Sequence, residues 1–221
     1  MSDPLRRLPD LAVHLATALA GPLPGARIHD RLSPRLLDGS LPAHAGRERP
    51  AAVLILLFPR DDVPHVVLTV RGAGLPHHAD QISLPGGCPE PGETAEETAL
   101  REAVEEIGVD VSGVTIAGRL TPVHIAVSGF TVQPIVALAD STPVFVPAPG
   151  EVAEVLEVPL ALLADPATLR SGRRARGSIE IEAPYFAVGD HQVWGATAML
   201  LGELLAVCGW EPDPPPLSTD S

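Results

Sequence analysis

One stretch constrains the chain more than any other: Gly86 to Val109, GGCPEPGETAEETALREAVEEIGV. Gly87 is followed after five residues by Glu93, and after seven more by Arg101-Glu102. Ala103, Val104, Glu105-Glu106 and Ile107-Gly108-Val109 complete the pattern. Thr94 and Glu97 have capping-box spacing, which predicts a helix from about Ala95. Gly108 suits a left-handed C-terminal position, which predicts its end near Ile107. At about 100° per residue, Ala99, Leu100, Ala103, Val104 and Ile107 gather on one face, expected to be buried. Glu102, Glu105 and Glu106 gather on the other side, within an arc of about 100°.

Like charges at this spacing repel by roughly a few tenths of a kcal/mol per pair, and a cation among them reverses the sign. Clustered carboxylates suit Mg²⁺ or Mn²⁺ rather than Zn²⁺. Three glutamates alone more often form a solvated acidic face. The Gly-rich loop ahead of them and the apolar periodicity behind them shift the balance toward a cation.

The stretch resembles the Nudix box, G-x5-E-x7-R-E-U-x-E-E-x-G-U, with U a bulky aliphatic residue. Every fixed position matches, and Ala103 is smaller than the aliphatic residue the pattern favours. The resemblance implies a metal-dependent hydrolase of nucleoside diphosphates linked to another moiety. By position it implies Glu102, Glu105 and Glu106 as metal ligands, with the Gly87 carbonyl as a further ligand and Mg²⁺ or Mn²⁺ as the ion. It also implies that Glu93 pairs with Arg101 to fix the loop on the helix.

The segment LTVRGAGLPHHADQISLPGG resembles the signature that precedes the box in coenzyme A pyrophosphatases. Leu68, Thr69, Arg71, Pro85, Gly86 and Gly87 match, whereas Gly72, Pro76, Asp80 and Leu84 depart from it. SGFTVQPIVAL, PGEVAEVLEVPL and HQVWGATAMLL also look like that group, so the resemblance covers about residues 50–208. Pro76 stands where an arginine is expected, which removes a cation that could meet a substrate phosphate. Arg71, Arg60 or the arginines of 170–176 are the substitutes. Arg170, Arg173, Arg174 and Arg176 could also take a 3′-phosphate, although a solvated loop is the commoner role for such a run. Gln81 lies at the entry to the box, and His77 and His78 lie in the preceding loop; we count Arg71, Arg60, His78 and Gln81 as the substrate-binding set.

The net charge is −13, which argues against nucleic-acid polymers and anionic membranes as partners. With an anionic substrate it makes a metal more necessary. All fifteen basic residues are arginine, which we read as codon bias. No run of eighteen apolar residues is free of charge or proline, so no transmembrane span is expected. Cys88 and Cys208 lie far apart, and a reduced cytoplasmic setting is the simpler reading. Arg6-Arg7 before LAVHLATALAG resembles a short signal peptide, but Pro9, Asp10 and His14 interrupt it. Leu11, Leu15, Ala18 and Leu19 have helical spacing instead, which favours an amphipathic surface helix.

Residues 21–50 read as an irregular lead-in. AAVLILLF from Ala51 reads as a buried strand, Asp61-Asp62 as a turn, and His65 to Arg71 as a second strand. Further strands are expected at 81–84, 114–121, 130–139 and through EVLEVPL, which passes into a short helix, LALLAD. Residues 170–177 read as an Arg-rich loop, IEIEAPYFAV and HQVW as a hairpin, and Gly195 to Val207 as an apolar helix that must dock. The tail from 209 reads as disordered. The fold class is therefore α/β (α+β), a mixed β-sheet sandwiched between helices, which agrees with the Nudix fold. The organisation is 1–49 lead-in, 50–208 hydrolase domain and 209–221 tail.

The substrate implied is coenzyme A or a derivative, cleaved to 3′,5′-ADP and 4′-phosphopantetheine. A glutamate, Glu106 or Glu151, would take a proton from water; Glu154 competes with Glu151. The alternatives are a diphosphatase acting on ADP-ribose, NADH or an oxidised nucleotide, and a nucleotide-sensing module without catalysis. The intact box favours the enzyme. A homodimer is compatible with the sequence.

Overall fold

The computed structural model of the chain describes residues 4–37, 47–72, 81–176 and 179–213. His77, His78, Pro76 and Asp80 lie outside the described residues, as does most of the tail. In chain order the elements are α1 (Leu8–Ala18), α2 (Gly25–Leu32), β1 (Arg35–Leu36), β2 (Arg49–Arg60), β3 (Val63–Arg71), β4 (Ile82–Ser83) and β5 (Gly86–Gly87). Then follow α3 (Ala95–Ile107), β6 (Val114–Arg119), β7 (Val123–Ile125), β8 (Phe130–Ala139), β9 (Val152–Pro159) and α4 (Leu160–Leu163). The chain closes with β10 (Leu169–Arg176), β11 (Ile179–Val188), β12 (His191–Trp194) and α5 (Ala196–Val207).

β2 is the spine. Its run of Val, Leu, Ile and Phe is what a strand buried on both faces requires. Ile55 and Leu57 enter one core, while Leu54, Leu56 and Phe58 enter the other. A two-residue loop, Asp61-Asp62, joins β2 to β3; both residues have positive φ, 52° and 65°, as a tight hairpin of this twist demands. β2 pairs in parallel with β8 from Arg49↔Phe130 to Leu57↔Leu138. β3 pairs antiparallel with β9 from His65↔Pro159 to Arg71↔Val152. With β4, β5, β6 and β7 these strands form one mixed sheet.

Helix α3 covers one side of that sheet through Ala99, Ala103 and Ile107, all fully buried. On the other side lie α1 and α5, which gives the mixed sheet its helical layers. A second sheet of β1, β11, β10 and β12 joins them there, with Leu169, Phe186, Val188 and Val193 in the same core.

Several expectations need correction. The stretch 21–50 is not irregular throughout: it contains α2, whose Ile28 and Leu32 are fully buried. Of the Arg-rich stretch 170–177, the described residues 170–176 belong to a strand, β10, paired with β11. Val104 is 43% exposed because it lies at the rim of the α3 contact, and Leu100 is only half-buried. The other α3 features agree. The helix runs Ala95–Ile107, Thr94 and Glu97 close a capping box, and Gly108 ends it in the left-handed region.

Candidate active site

The site forms where α3 crosses one end of the large sheet. β5 brings Gly86 and Gly87 against β2, in register with Val53 and Ala52. The approach is close: a Cβ on Gly86 would lie 2.3 Å from the Ala52 carbonyl oxygen. A Cβ on Gly87 would lie 2.4 Å from Glu102 Oε1, so the Glu102 carboxylate occupies the space a side chain would fill. The Gly86 N–H donates to Glu106 Oε2 at 3.2 Å. Two glutamates one helical turn apart thus face a glycine pair.

Arg101 fixes this geometry. Its Nε donates to Glu93 Oε1 at 2.7 Å and its Nη2 to Glu93 Oε2 at 3.1 Å, with a further Nη2 bond to the Cys88 carbonyl at 3.0 Å. Nη1 donates to Glu102 at 3.1 Å and to Glu105 at 2.9 Å. The loop 88–93 is therefore tied to the helix by one guanidinium, the pairing expected of Glu93 and Arg101. Glu93 also accepts from its loop neighbour, the Glu90 N–H, and from Thr98. Arg101, followed by the Glu90 N–H, holds the Glu93 carboxyl down at about 2.

Glu106 is in the opposite state. Burial pushes its carboxyl up to about 7; the Gly86 N–H pulls it down, Glu102 and Glu151 raise it, and Arg71 lowers it. Glu151 follows the segment that leaves β8, and its carbonyl accepts from the Gly72 N–H at 2.9 Å. The same segment caps α3: Val146 N–H donates to the Ile107 carbonyl and Ala148 N–H to that of Glu106, both at 2.8 Å. Arg71, at the end of β3, has a buried Nε with no hydrogen-bond partner among the described residues. Its backbone N–H donates to the Gln81 carbonyl at 3.1 Å, which places Gln81 beside it.

The structure thus gathers Glu102, Glu106, Gly86, Gly87, Arg71, Gln81 and Glu151 at one end of the sheet. Glu105 is more than half exposed and is drawn aside by Arg101. Arg60 is not at this end. It pairs with Glu157 beside the β2–β3 hairpin, seven residues along β2 from Val53, or roughly 23 Å at strand rise. Glu154 faces His191, 3.5 Å away. His78 lies outside the described residues. Sequence reasoning did not single out Gly86 as the donor to Glu106; the doubled glycine before the box was the available signal.

Among the described residues, no three His, Cys, Asp or Glu side chains already form a cage for a metal ion. The donors nevertheless fit a hard divalent cation. They are carboxylate oxygens and a glycine carbonyl, with no soft ligand among them. Burial, with Glu102 and Glu151 nearby, holds the carboxyl of Glu106 up at about 7 despite Arg71. A cation here would supply a counter-charge.

The NUDIX domain pattern matches residues 48–175, more than half of the chain. The chain belongs to the Nudix family. Among its relatives is an uncharacterized Nudix hydrolase NudL of Cronobacter sakazakii, 34% identical over 187 residues, spanning 82% of this chain and 91% of that protein. A NudL of Pectobacterium atrosepticum is 40% identical over 120 residues, which is 54% of this chain and 60% of that one. A solved Nudix hydrolase from M. smegmatis, RenU, is 28% identical with a TM-score of 0.47, covering 58% of this chain and 83% of its own. As a Nudix hydrolase the chain is an enzyme of the pyrophosphohydrolase type, a class that generally needs a divalent metal ion. Among the described residues no helix is long and apolar enough to cross a membrane.

Proposed function

We propose that this Nudix hydrolase cleaves the diphosphate of coenzyme A or its derivatives, with Mg²⁺ or Mn²⁺, to 3′,5′-ADP and 4′-phosphopantetheine. The observation that carries the reading is Arg71. It stands where the coenzyme A signature has its arginine, and among the described residues its buried Nε meets no acceptor beside the acidic cleft. A phosphate oxygen supplies that acceptor, in a charge-assisted bond. Leu68 and Thr69 before it and Pro85 to Gly87 after it keep the rest of the signature.

Glu102, Glu105 and Glu106, with the Gly87 carbonyl, would hold the ion. When bound, it neutralises the diphosphate charge and acidifies water. The chain's own residues do the remainder. Arg71 and Gln81 orient the substrate at the end of β3. Arg101 keeps the loop on Glu93. Glu151, beside Glu106 and exposed, accepts the proton as water oxygen bonds to phosphorus and the bridging P–O bond breaks. Two thiols, Cys88 and Cys208, suit a reducing cytoplasmic setting.

The test is kcat/KM for coenzyme A, dephospho-coenzyme A and ADP-ribose under one metal condition. Coenzyme A should exceed ADP-ribose. Dephospho-coenzyme A should be a comparatively good substrate, because Pro76 replaces the signature arginine. A tenfold advantage for ADP-ribose would remove the coenzyme A reading and leave the family chemistry intact.

A further inference from the structure

The second sheet carries a cation that the hydrolase chemistry does not use. Along β10, Leu169 turns into the core, so Arg170, Gly172 and Arg174 share the opposite face. Tyr185 and Ala183 of β11 and Trp194 and Gln192 of β12 lie on that face too, by register. The other face of this sheet, with Leu169, Phe186, Val188 and Val193, packs into the core on the side of the large sheet away from α3.

Arg174 sits between two rings, 5.3 Å from the Tyr185 centroid and 4.8 Å from that of Trp194. One Nη donates to Gln192 Oε1 at 2.5 Å. Its Nε is buried with no hydrogen-bond partner among the described residues. Gly172 makes the arrangement fit: a Cβ there would stand 3.1 Å from the Tyr185 ring. Ile181 and Ala183 are buried beside the guanidinium and close the floor. The contrast with the other arginines is chemical. Arg27, Arg60, Arg101 and Arg119 each meet a carboxylate, whereas the groups recorded around Arg174 are two rings and an amide. Burial lowers its pKa accordingly.

A buried N–H without an acceptor in a half-buried cation calls for one from outside. Nε and Nη2, which also donates to Gln192, form the flat edge of a guanidinium, and with one N–H each they match two oxygens of a phosphate. The rings exclude water from one side of that edge and hold the plane in place. We propose that the Arg174–Tyr185–Trp194 face is a second anion site, which takes the terminal phosphate monoester of a small molecule in bidentate fashion. Arg173 does not belong to it, because it shares the Leu169 face, in register with buried Glu182. Arg170, exposed on the same face, lies four residues away, roughly 13 Å along the strand, and adds long-range attraction only.

Trp194 provides the readout. Inorganic phosphate is titrated into the full chain in EDTA at constant ionic strength, and tryptophan emission is followed. A saturable change is expected. In Arg174→Gln it should be lost, and in Arg174→Lys, which keeps the charge but not the flat edge, the affinity should fall at least tenfold. AMP and adenosine form two further arms. Binding of AMP but not adenosine assigns recognition to the phosphate; equal binding of both would mean that the rings take the base, and overturns the proposal. A native protein with no saturable response to phosphate, or one matched by a folded Arg174→Gln, also overturns it. Both variants should retain metal-dependent hydrolysis of dephospho-coenzyme A, which has no terminal phosphate monoester, so failure here is separable from failure of the hydrolase reading.

Discussion

Arg101 and Glu93 lie eight positions apart and meet through two hydrogen bonds, at 2.7 and 3.1 Å. The same guanidinium holds the Cys88 carbonyl, Glu102 and Glu105. It is therefore the joint between the glycine loop and the helix. Arg101→Ala should lower metal affinity and kcat together, because both depend on where the loop holds Gly87. Calorimetric Mn²⁺ titration alongside steady-state kinetics checks this; a variant with unchanged metal affinity would contradict the joint. The pair also has an acid limit. Glu93 sits at about 2, below its ordinary 4.5, so its stabilisation is present above about 4.5 and is lost as pH falls toward 2.

Glu106→Gln should cost roughly two to four orders of magnitude in kcat, the range for a group acting on charge and protons at the reacting centre. The fold should persist, since the amide keeps an oxygen for the Gly86 N–H. Circular dichroism and turnover, measured on the same sample, decide it. Near-full turnover would remove Glu106 from the site.

Glu106 also sets a pH dependence in the metal-free protein. Its carboxyl titrates at about 7 in the fold against an ordinary 4.5. The folded state therefore binds the proton more tightly than the unfolded state does. Stability should fall as pH rises from about 4.5 through 7, by up to about 3 kcal/mol, and level off above. Mn²⁺ affinity should move the other way, rising about tenfold per pH unit below 7 as the carboxylate is freed. Thermal melts and Mn²⁺ titrations of native protein and Glu106→Gln, from pH 5 to 8.5, test both slopes; the variant should flatten them.

Gly86→Ala and Gly87→Ala should separate stability from activity. At Gly86 the added methyl meets the Ala52 carbonyl and Val53 Cα, which are backbone of the central strand. The melting temperature should drop. At Gly87 the three nearest atoms all belong to the carboxylate of Glu102, a side chain that can swing away. Activity should drop there with a smaller change in melting temperature. Equal thermal losses in the two variants would count against this division.

Glu203 is fully buried on α5 and takes hydrogen bonds from the Thr121 N–H at 3.1 Å, the Thr121 hydroxyl at 2.6 Å and His29 Nε2 at 2.8 Å. It joins α2, α5 and the turn after β6. Glu203→Ala strands those donors and should destabilise by about 3 kcal/mol, with kcat of the folded fraction unchanged. Urea unfolding followed by tryptophan emission measures it.

The box helix was legible because every signal in it is local. Thr94 and Glu97 start it, Gly108 stops it, and Arg101 and Glu93 are close enough in sequence to imply their pairing. What failed depended on distant contacts. Val104 has the spacing of a buried residue, but it is 43% exposed, outside the face that Ala99, Ala103 and Ile107 bury. β10 reads as a loop because four arginines in seven residues obscure the alternation; the strand is fixed by register with β11, which no local pattern encodes. α2 lacks a capping side chain, its N-cap being Pro24, and owes its place to Leu32 and Ile28 packing toward Gly202. Arg60 shares a strand with the site but stands at its far end, a distance that residue type cannot reveal.

The parallel pairing of β2 with β8 has a consequence for a chain leaving the ribosome. Val53 meets Gly86 on one edge and Pro134 on the other, partners made some thirty and eighty residues later. Until the second arrives, Leu54 to Phe58 present an apolar strand with an open edge, the kind of segment that recruits other nascent chains. Slowing translation between residues 60 and 138 should therefore lower soluble yield, whereas slowing it after β8 should matter less.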